Sequence, residues 1–406
     1  MLAFTNAHLI DGTGSAPVTA ATVLVDGKRI TAAGTNVPAP DGATVIDVKG
    51  KALLPGLIDC HAHYGDREDR PGLNNAEESF HYAPVRDATL AWGITTIRSA
   101  GDWLNDALET RDLIENGLLR GPRMICCGKQ FGKRHGHPAS TVWRSDPATV
   151  ENAGCYPETA EEARRCVREL AAAGTNYLKI TVCRDGLPVY PGTMEPLADH
   201  VLEAIVDEGH KHGLWVMCHI DRAADAIKLV GYGADEIDHL IAVGLAELPD
   251  EATYDRLFQL MVDKGTWLTP TIVLARTRDQ MMAAQGVPTP VDEYFLPHYR
   301  KAHEAGVRLG CGCDSGAPFV PWGPSLHWEL KEYVYGLGMT PLEALSCTTR
   351  NNATICGIDD KVGTIKEGLL ADILIVDGDP SKKIDDTQNI RMVLREGAIV
   401  LDKMLS

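Results

Sequence analysis

Apolar and polar positions divide this chain into two β-rich ends and a middle in which strand-like and helix-like runs alternate. Residues 1–56 contain short apolar runs separated by turn residues, and the alternation around Asp26–Gly27 predicts a hairpin. Residues 364–406 have the same texture of short strands and turns. Two similar ends around a different middle predict one small β-sandwich domain, to which both chain ends contribute strands.

The middle of the chain, residues 57–363, contains eight strand-like runs separated by helix-like segments. The runs lie at residues 57–63, 95–100, 123–128, 177–182, 215–220, 236–240, 267–273 and 308–314. The clearest helix follows Thr159, where Glu162 completes a capping-box pattern and Gly174 marks the end. Strands alternating with helices in this number predict an α/β fold, a (β/α)₈ TIM barrel whose catalytic residues lie at the C-terminal ends of the strands. A doubly wound parallel sheet is the structural alternative, but no G-x-G-x-x-G motif follows the first of these strands.

Composition narrows the classes of partner. The formal net charge of −17 disfavours nucleic acid and anionic membrane surfaces. No run approaches the ~20 apolar residues of a membrane span, and the start of the sequence lacks the pattern of a signal peptide. The 11 cysteines include no C-x-x-C pair, so a zinc ribbon or a thioredoxin-like site has no support, and their odd number without an export signal favours reduced thiols. We therefore expect a cytoplasmic protein that acts on a small-molecule substrate, without a nucleic-acid or membrane partner, and that forms homo-oligomers.

A group of polar residues falls at one rim of the predicted barrel, inside its strands or at their ends. The group consists of His61, His63, Lys179, His219, His239 and Asp314. Residues two apart in a strand point to the same face, so His61 and His63 would project together, and converging imidazoles chelate metals. Taken singly, each residue of the group is more typical of a structural hydrogen bond, a turn or a strand-edge lysine. Together, at one rim, they predict a metal centre.

Longer segments around these residues resemble a known family. "LLPGLIDCHAH" (residues 53–63) resembles the first-strand motif of the amidohydrolase superfamily, in the branch of imidazolonepropionase-like and X-prolyl dipeptidase (prolidase) enzymes. "YLKI" (177–180) is similar to the fourth-strand lysine motif of that family, and "GCDSGAP" (312–318) to its eighth-strand aspartate motif. Residues 338–380 are similar to its return from the last barrel helix into the β-sandwich. The resemblance covers essentially the whole chain and implies a metal-dependent hydrolase.

The resemblance also implies a binuclear metal site, most often of zinc. Carried over by position, His61, His63 and Asp314 would hold one divalent ion. His219 and His239 would hold the other.

A bridge between the two ions is implied at Lys179, carboxylated on its side-chain nitrogen. A protonated amine cannot bind a metal, whereas the carbamate that forms with CO₂ offers two anionic oxygen donors. The two ions would share a hydroxide that attacks a carbonyl group. Asp314 would accept the proton of this hydroxide and return it to the leaving amine.

Residues outside the metal set are less clearly assigned. The resemblance favours His137 as a catalytic residue facing the substrate from the loop after the third strand, with His135 as the alternative. Arg98 suits either a substrate carboxylate or a structural ion pair. Asp221 and Arg222 follow His219 where related dipeptidases carry a small or aromatic residue, so the resemblance does not extend to substrate specificity. Residues 276–301 are longer than a tight connection needs and are expected to contribute to a lid.

The leading hypothesis is a hydrolase of an amide-type C–N bond in a dipeptide, an N-acyl amino acid or a cyclic amide. A lactonase or phosphotriesterase would use the same site. A mononuclear deaminase is a further alternative, but such relatives lack the strand-four lysine and carry a glutamate at the position of Arg222. A non-catalytic relative on the same barrel would have lost ligands, and a barrel with coincidental polar rim residues would bind little metal.

Overall fold

The computed structural model describes residues 1–63, 83–144, 146–187, 190–240, 250–284, 286 and 291–404. Its strands are β1 (Leu2–Leu9), β2 (Val18–Asp26), β3 (Arg29–Gly34), β4 (Thr44–Asp47), β5 (Ala52–Pro55), β6 (Leu57–Ala62), β7 (Ile94–Ser99), β8 (Arg123–Cys126), β9 (Gln130–Phe131), β10 (Gly154–Cys155), β11 (Tyr177–Val182), β12 (Asp185–Leu187), β13 (Tyr190–Thr193), β14 (Trp215–Ile220), β15 (Glu236–His239), β16 (Trp267–Thr269), β17 (Arg308–Leu309), β18 (Ile373–Val376), β19 (Ile390–Arg395) and β20 (Ala398–Asp402).

The described α-helices alternate with the central strands. They are α1 (Ala83–Ala91), α2 (Leu104–Glu115), α3 (Pro147–Ala153), α4 (Ala160–Ala173), α5 (Asp199–Lys211), α6 (Ala223–Tyr232), α7 (Glu251–Lys264), α8 (Ile272–Ala283), α9 (Leu296–Glu304), α10 (Pro324–Lys331), α11 (Pro341–Ser346) and α12 (Asn352–Ile355). None of these helices is long and apolar enough to cross a membrane.

Both chain ends join one sheet. Its strand order is β20-β19-β18-β5-β1-β2-β3, with β4 beside β1. The C-terminal strand β18 pairs antiparallel with the N-terminal strand β5, and the predicted hairpin is present, since β2 and β3 pair with Asp26 opposite Arg29. Phe4, Val23 and Ile373 contribute to a buried apolar cluster that is shared between the two ends. The union of the two ends is thus observed, while their division into sandwich layers and the domain boundaries stay predictions.

The predicted strands of the middle region are present in two parallel sheets, β6-β7-β8 and β10-β9-β11-β14-β15-β16-β17. Backbone hydrogen bonds connect the two sheets at both seams. At one seam the Asn176 N–H donates to the carbonyl of Cys126 over 2.8 Å. At the other seam, after β17, the Asp314 N–H donates to the carbonyl of His61 over 2.9 Å. Because the strands are parallel, their C-terminal ends meet at one rim.

Local sequence signals set the helix ends. The Thr159 hydroxyl accepts a hydrogen bond from the N–H of Glu162, and the Glu162 carboxylate accepts one from the N–H of Thr159, which is the predicted capping box. Gly174 ends the helix in the left-handed conformation at φ +87°, where a side chain would be strained.

The segment predicted to contribute to a lid, residues 276–301, contains most of α8 and the first part of α9. Residues 285 and 287–290 of that segment lie outside the described part of the chain.

A buried ion pair fills the barrel interior below the rim. Arg98 on β7 pairs with Glu236 on β15, and both side chains are 0% exposed. The guanidinium carbon lies 4.0 Å from the ring centroid of Tyr177, and the Thr269 hydroxyl donates to Glu236 over 2.6 Å. Arg98 is therefore a structural residue that ties three strands together, and the alternative role at a substrate carboxylate does not apply.

Replacing Glu236 by alanine leaves the Arg98 guanidinium buried without its counter-charge. Because an unpaired buried charge is strongly unfavourable, we expect Glu236→Ala to lower the free energy of unfolding by about 3–5 kcal/mol. Urea denaturation followed by circular dichroism measures the change. The matched control is Arg165→Ala, which breaks the exposed pair between Arg165 and Glu169 and should change stability by no more than about 0.5 kcal/mol. Equal effects of the two variants would contradict the structural role of the buried pair.

Candidate metal centre

The residues predicted from the sequence converge on one cavity at the C-terminal rim. Those that line it are His61, His63, His137, Lys179, His219, His239 and Asp314. They come from the ends or interiors of separate strands, or from the loops that follow them, over more than half the chain. The predicted ligand set therefore lies together, with the predicted catalytic His137 beside it.

One side of the cluster is built around Asp314. Its Oδ1 lies 3.1 Å from Nε2 of His63 and 3.6 Å from Nε2 of His61. The two imidazole centroids are 5.5 Å apart, so the histidines project together as the strand alternation predicted. Burial opposes the ionisation of Asp314, but the neighbouring histidines outweigh it and hold the pKa of this carboxyl well below its ordinary value. Asp314 is thus an ionised carboxylate close to two imidazoles.

The other side of the cluster is formed by imidazoles. The ring of His219 lies 4.6 Å from that of His239 and 4.9 Å from that of His137, measured between centroids. Burial lowers the pKa of His219 and of His239 well below the ordinary value, and a neighbouring imidazole adds to the effect in each case. Neutral imidazoles keep a lone pair for a metal ion. The Thr271 hydroxyl lies 2.6 Å from Nδ1 of His239 and orients that ring.

Asp238 is a member of the cluster that the sequence analysis missed. Lys179 donates a hydrogen bond to Oδ2 of Asp238, and both side chains are almost completely buried. The same oxygen lies 3.3 Å from Nδ1 of His61. Burial opposes the ionisation of Asp238, but the Lys179 ammonium and His61 outweigh it, so the pKa of Asp238 is lowered.

The backbone explains why Asp238 escaped notice. Adjacent strand residues point to opposite faces, so a site that contains His239 would not be expected to contain Asp238. His239, however, has φ +62°, outside the strand region, and strict alternation ends there. Both side chains therefore reach the same cluster. Asp314 has the same unusual conformation, φ +62°, and such backbone strain concentrates at functional sites.

The donor set fits a divalent metal. Ligand atoms of His61, His239 and Asp314 all lie within 4.8 Å of one another and are buried. This trio combines members of both predicted ligand sets. Within the described part of the chain, Nδ1 of His61 and Oδ1 of Asp314 are buried without a hydrogen-bond partner, although each is close to polar atoms. Buried polar atoms of this kind usually have partners, and imidazole with carboxylate is a common zinc donor set.

Of the polar residues considered from the sequence in addition to the metal ligands, some line the cavity and others do not. His137 lines it, whereas His135 is exposed on the loop. Asp221 accepts a hydrogen bond from the backbone N–H of Arg184 over 2.6 Å, and Arg222 is exposed at the start of α6.

The second residue that the sequence analysis missed is Arg278 on α8. It is partly buried and lines the cavity, as do the apolar residues Val142 and Trp143. No sequence signal distinguishes it from the neighbouring Arg276, because only the packing of α8 decides which arginine faces the cavity.

The comparisons with known proteins agree with this geometry. The sequence profile of the amidohydrolase family matches residues 52–400, so the chain belongs to the amidohydrolase family. Ochratoxinase from Aspergillus niger is 25% identical over 95% of this chain and 83% of its own length. Imidazolonepropionase from Streptomyces griseus subsp. griseus is 24% identical over 90% of this chain and 88% of its own length.

A solved structure extends the agreement to the fold. The crystal structure of a Xaa-Pro dipeptidase with bound methionine in the active site matches with a TM-score of 0.82 and 25% identity, over 98% of this chain and 99% of that chain. The predicted family and branch are thus confirmed, and the chain is an enzyme with the (β/α)₈ fold of these relatives.

Metal binding can be tested on the trio. We expect the purified wild type to contain divalent metal and His61→Ala and Asp314→Ala to bind it at least about 100-fold more weakly, since even residues that only support ligands cost 10–100-fold. Elemental analysis and titration with a chromophoric chelator measure both quantities. His212→Ala, at an exposed histidine on the helical side, should leave metal affinity unchanged. Equal metal content in all four proteins would rule out the trio as ligands.

Proposed function

We propose that this enzyme hydrolyses an amide-type C–N bond of a small molecule at a binuclear metal centre. The observation that carries the proposal is the convergence of the whole predicted ligand set, together with His137, on one cavity. His61, His63 and Asp314 would hold one ion and His219 and His239 the other. When bound, the two ions would supply Lewis-acid activation of the carbonyl group and of the attacking water.

Asp314 is proposed as the general base and then the general acid. Its lowered pKa keeps it ionised, so it can accept a proton at a carboxylate oxygen. The leaving nitrogen of an amide must be protonated before it departs as an amine. A carboxylic acid formed at Asp314 in the first half of the reaction supplies that proton in the second half, and the residue returns to its starting state.

His137 is proposed to contact the substrate directly. Burial and the charge of Arg278 lower the pKa of His137 to about 3, so the imidazole is neutral at ordinary pH. The Thr141 hydroxyl lies 2.7 Å from Nδ1 and fixes the orientation of the ring. A neutral, oriented imidazole beside the cluster can donate an N–H to the oxygen on which charge develops.

Lys179 is proposed to bridge the two ions as a carbamate. Its amine now donates to Asp238. Conversion to the carbamate would replace that ammonium by an anion, and Asp238 would then need another positive partner, which the metal ions would provide. The pairing supports this proposal, because Asp238 holds the Lys179 side chain in the cluster, where the amine would lose its proton before it reacts with CO₂.

The relatives support this class of reaction. Their names describe an ochratoxinase, an imidazolonepropionase and a Xaa-Pro dipeptidase. The substrates considered for this chain are accordingly dipeptides, N-acyl amino acids and cyclic amides. A mononuclear deaminase is less well supported, because the position that would carry its glutamate holds the exposed Arg222. A lactonase or phosphotriesterase would use the same metal ligands. A non-catalytic relative is disfavoured, because every residue of the predicted ligand set is present.

The carbamate bridge predicts a metal stoichiometry. With bicarbonate present, we expect about two divalent ions per chain in the wild type and at most about one in Lys179→Ala, because the shared ligand is lost. Inductively coupled plasma mass spectrometry of proteins prepared in parallel measures the ratio. Lys264→Ala, at the exposed end of α7, is the matched control and should resemble the wild type. One ion in all three proteins would indicate a mononuclear site.

The role of His137 predicts a loss of rate without a loss of metal. On whichever amide of the panel is hydrolysed, His137→Ala should lower kcat by roughly 10²–10³-fold, as removal of an oxyanion donor does. Metal content should be unchanged. His135→Ala, two residues earlier on the same loop but exposed, should leave kcat unchanged. A parallel loss of metal in His137→Ala would instead assign this residue to the metal shell, and an unchanged kcat would remove it from the reaction.

A further inference from the structure

Arg278 stands out among the residues that line the cavity. Apart from Lys179, whose amine is engaged by Asp238, it is the only lysine or arginine among the described lining residues. It projects from α8, the helix that follows β16, and is partly buried. Burial lowers the pKa of Arg278, yet an arginine stays protonated under all ordinary conditions. The cavity therefore contains a fixed positive charge beside the candidate metal centre.

The neighbouring Arg276 shows what an arginine on this helix does when carboxylates are within reach. Its guanidinium lies 2.8 Å from Asp292 and 3.0 Å from Glu332. Arg278 has no such contact, since no residue in the described ranges forms a hydrogen bond or ion pair with it. The charge of Asp314 and the thiol of Cys183 partly offset the effect of burial on the pKa of Arg278. The guanidinium is only partly buried and lines the cavity, whereas Asp314 is committed to the cluster.

We propose that Arg278 binds a carboxylate group of the substrate. The planar guanidinium matches a carboxylate with two parallel hydrogen bonds, and a carboxylate is the anionic group that dipeptides and N-acyl amino acids carry. The lining of the same cavity includes Pro138, Val142 and Trp143, which suits an apolar portion of the same molecule. The substrate class is then an N-acyl amino acid or dipeptide with an apolar side chain, rather than a neutral cyclic amide or lactone. This inference rests on the proposed amide hydrolysis and narrows it.

The test uses pairs of compounds that differ only in the carboxylate. N-acetyl-L-leucine and N-acetyl-L-leucinamide share one amide bond, as do L-alanyl-L-leucine and its carboxamide. We expect the wild type to have a higher kcat/KM for each acid than for its carboxamide. Arg278→Met should lower kcat/KM for the acids by about 10–100-fold, the usual cost of a lost charge-assisted hydrogen bond, and should hardly affect the carboxamides. Arg278→Lys keeps the positive charge but cannot form two parallel hydrogen bonds with a carboxylate. Its kcat/KM for the acids should therefore lie between the values of the wild type and of Arg278→Met.

A binding measurement separates this inference from the proposed reaction. Trp143 lines the cavity, so tryptophan fluorescence reports occupancy by N-acetyl-L-leucine without turnover. Wild type that hydrolyses no compound of the panel, but binds the acid more tightly than the carboxamide through Arg278, would refute the proposed reaction and support the carboxylate site.

Equal binding of acid and carboxamide, or equal losses on both in Arg278→Met, would overturn the role of Arg278 even in an active amidase. Arg276→Met is the matched control. It removes a guanidinium from the same helix but outside the lining of the cavity, and it should leave the ratio of acid to carboxamide unchanged.

Discussion

The site depends on a backbone seam between the end of β6 and the segment after β17. The N–H of Asp314 donates to the carbonyl of His61, and the N–H of His63 donates to the carbonyl of Ser315 over 2.7 Å. Gly312 permits this closeness, because a Cβ there would lie 2.6 Å from the backbone nitrogen of His61. Asp314 thereby becomes a neighbour of His61 and His63, which lie some 250 residues earlier in the sequence.

A buried carboxylate reinforces the seam from below. Asp59 accepts hydrogen bonds from the N–H of His61, the N–H of Cys313 and the hydroxyl of Ser315, over 3.1–3.3 Å. Burial raises the pKa of Asp59 to about 6 in spite of these donors. Above the seam, burial lowers the pKa of His61, His219 and His239, while neighbouring positive groups lower the pKa of Asp314 and Asp238. The cluster therefore offers nitrogen lone pairs and carboxylate oxygens, which are the donors that a divalent cation binds. Burying such charged groups without a cation to balance them would be unfavourable.

Much of this arrangement could be predicted from the sequence, because it follows from local signals and from one rule of topology. The strand pattern, the capping box at Thr159 and the parallel-barrel rule together place the ligand set at one rim. The rest depends on tertiary detail that no local pattern contains. Asp238 joins the cluster only because His239 leaves the strand conformation, and Arg278 faces the cavity only because of how α8 packs. Likewise, the structural role of Arg98 depends on Glu236, a partner on a strand far along the chain.

The proposed chemistry requires that these side chains hold catalytic metal. Anomalous diffraction from crystals grown with zinc and bicarbonate tests it most directly, since peaks at the zinc edge locate the ions without reference to activity. We expect two peaks within the cluster, one beside His61, His63 and Asp314 and the other beside His219 and His239. Planar density should extend from the Lys179 nitrogen between the two peaks. Zinc bound elsewhere, or a cluster without any peak, would contradict this expectation.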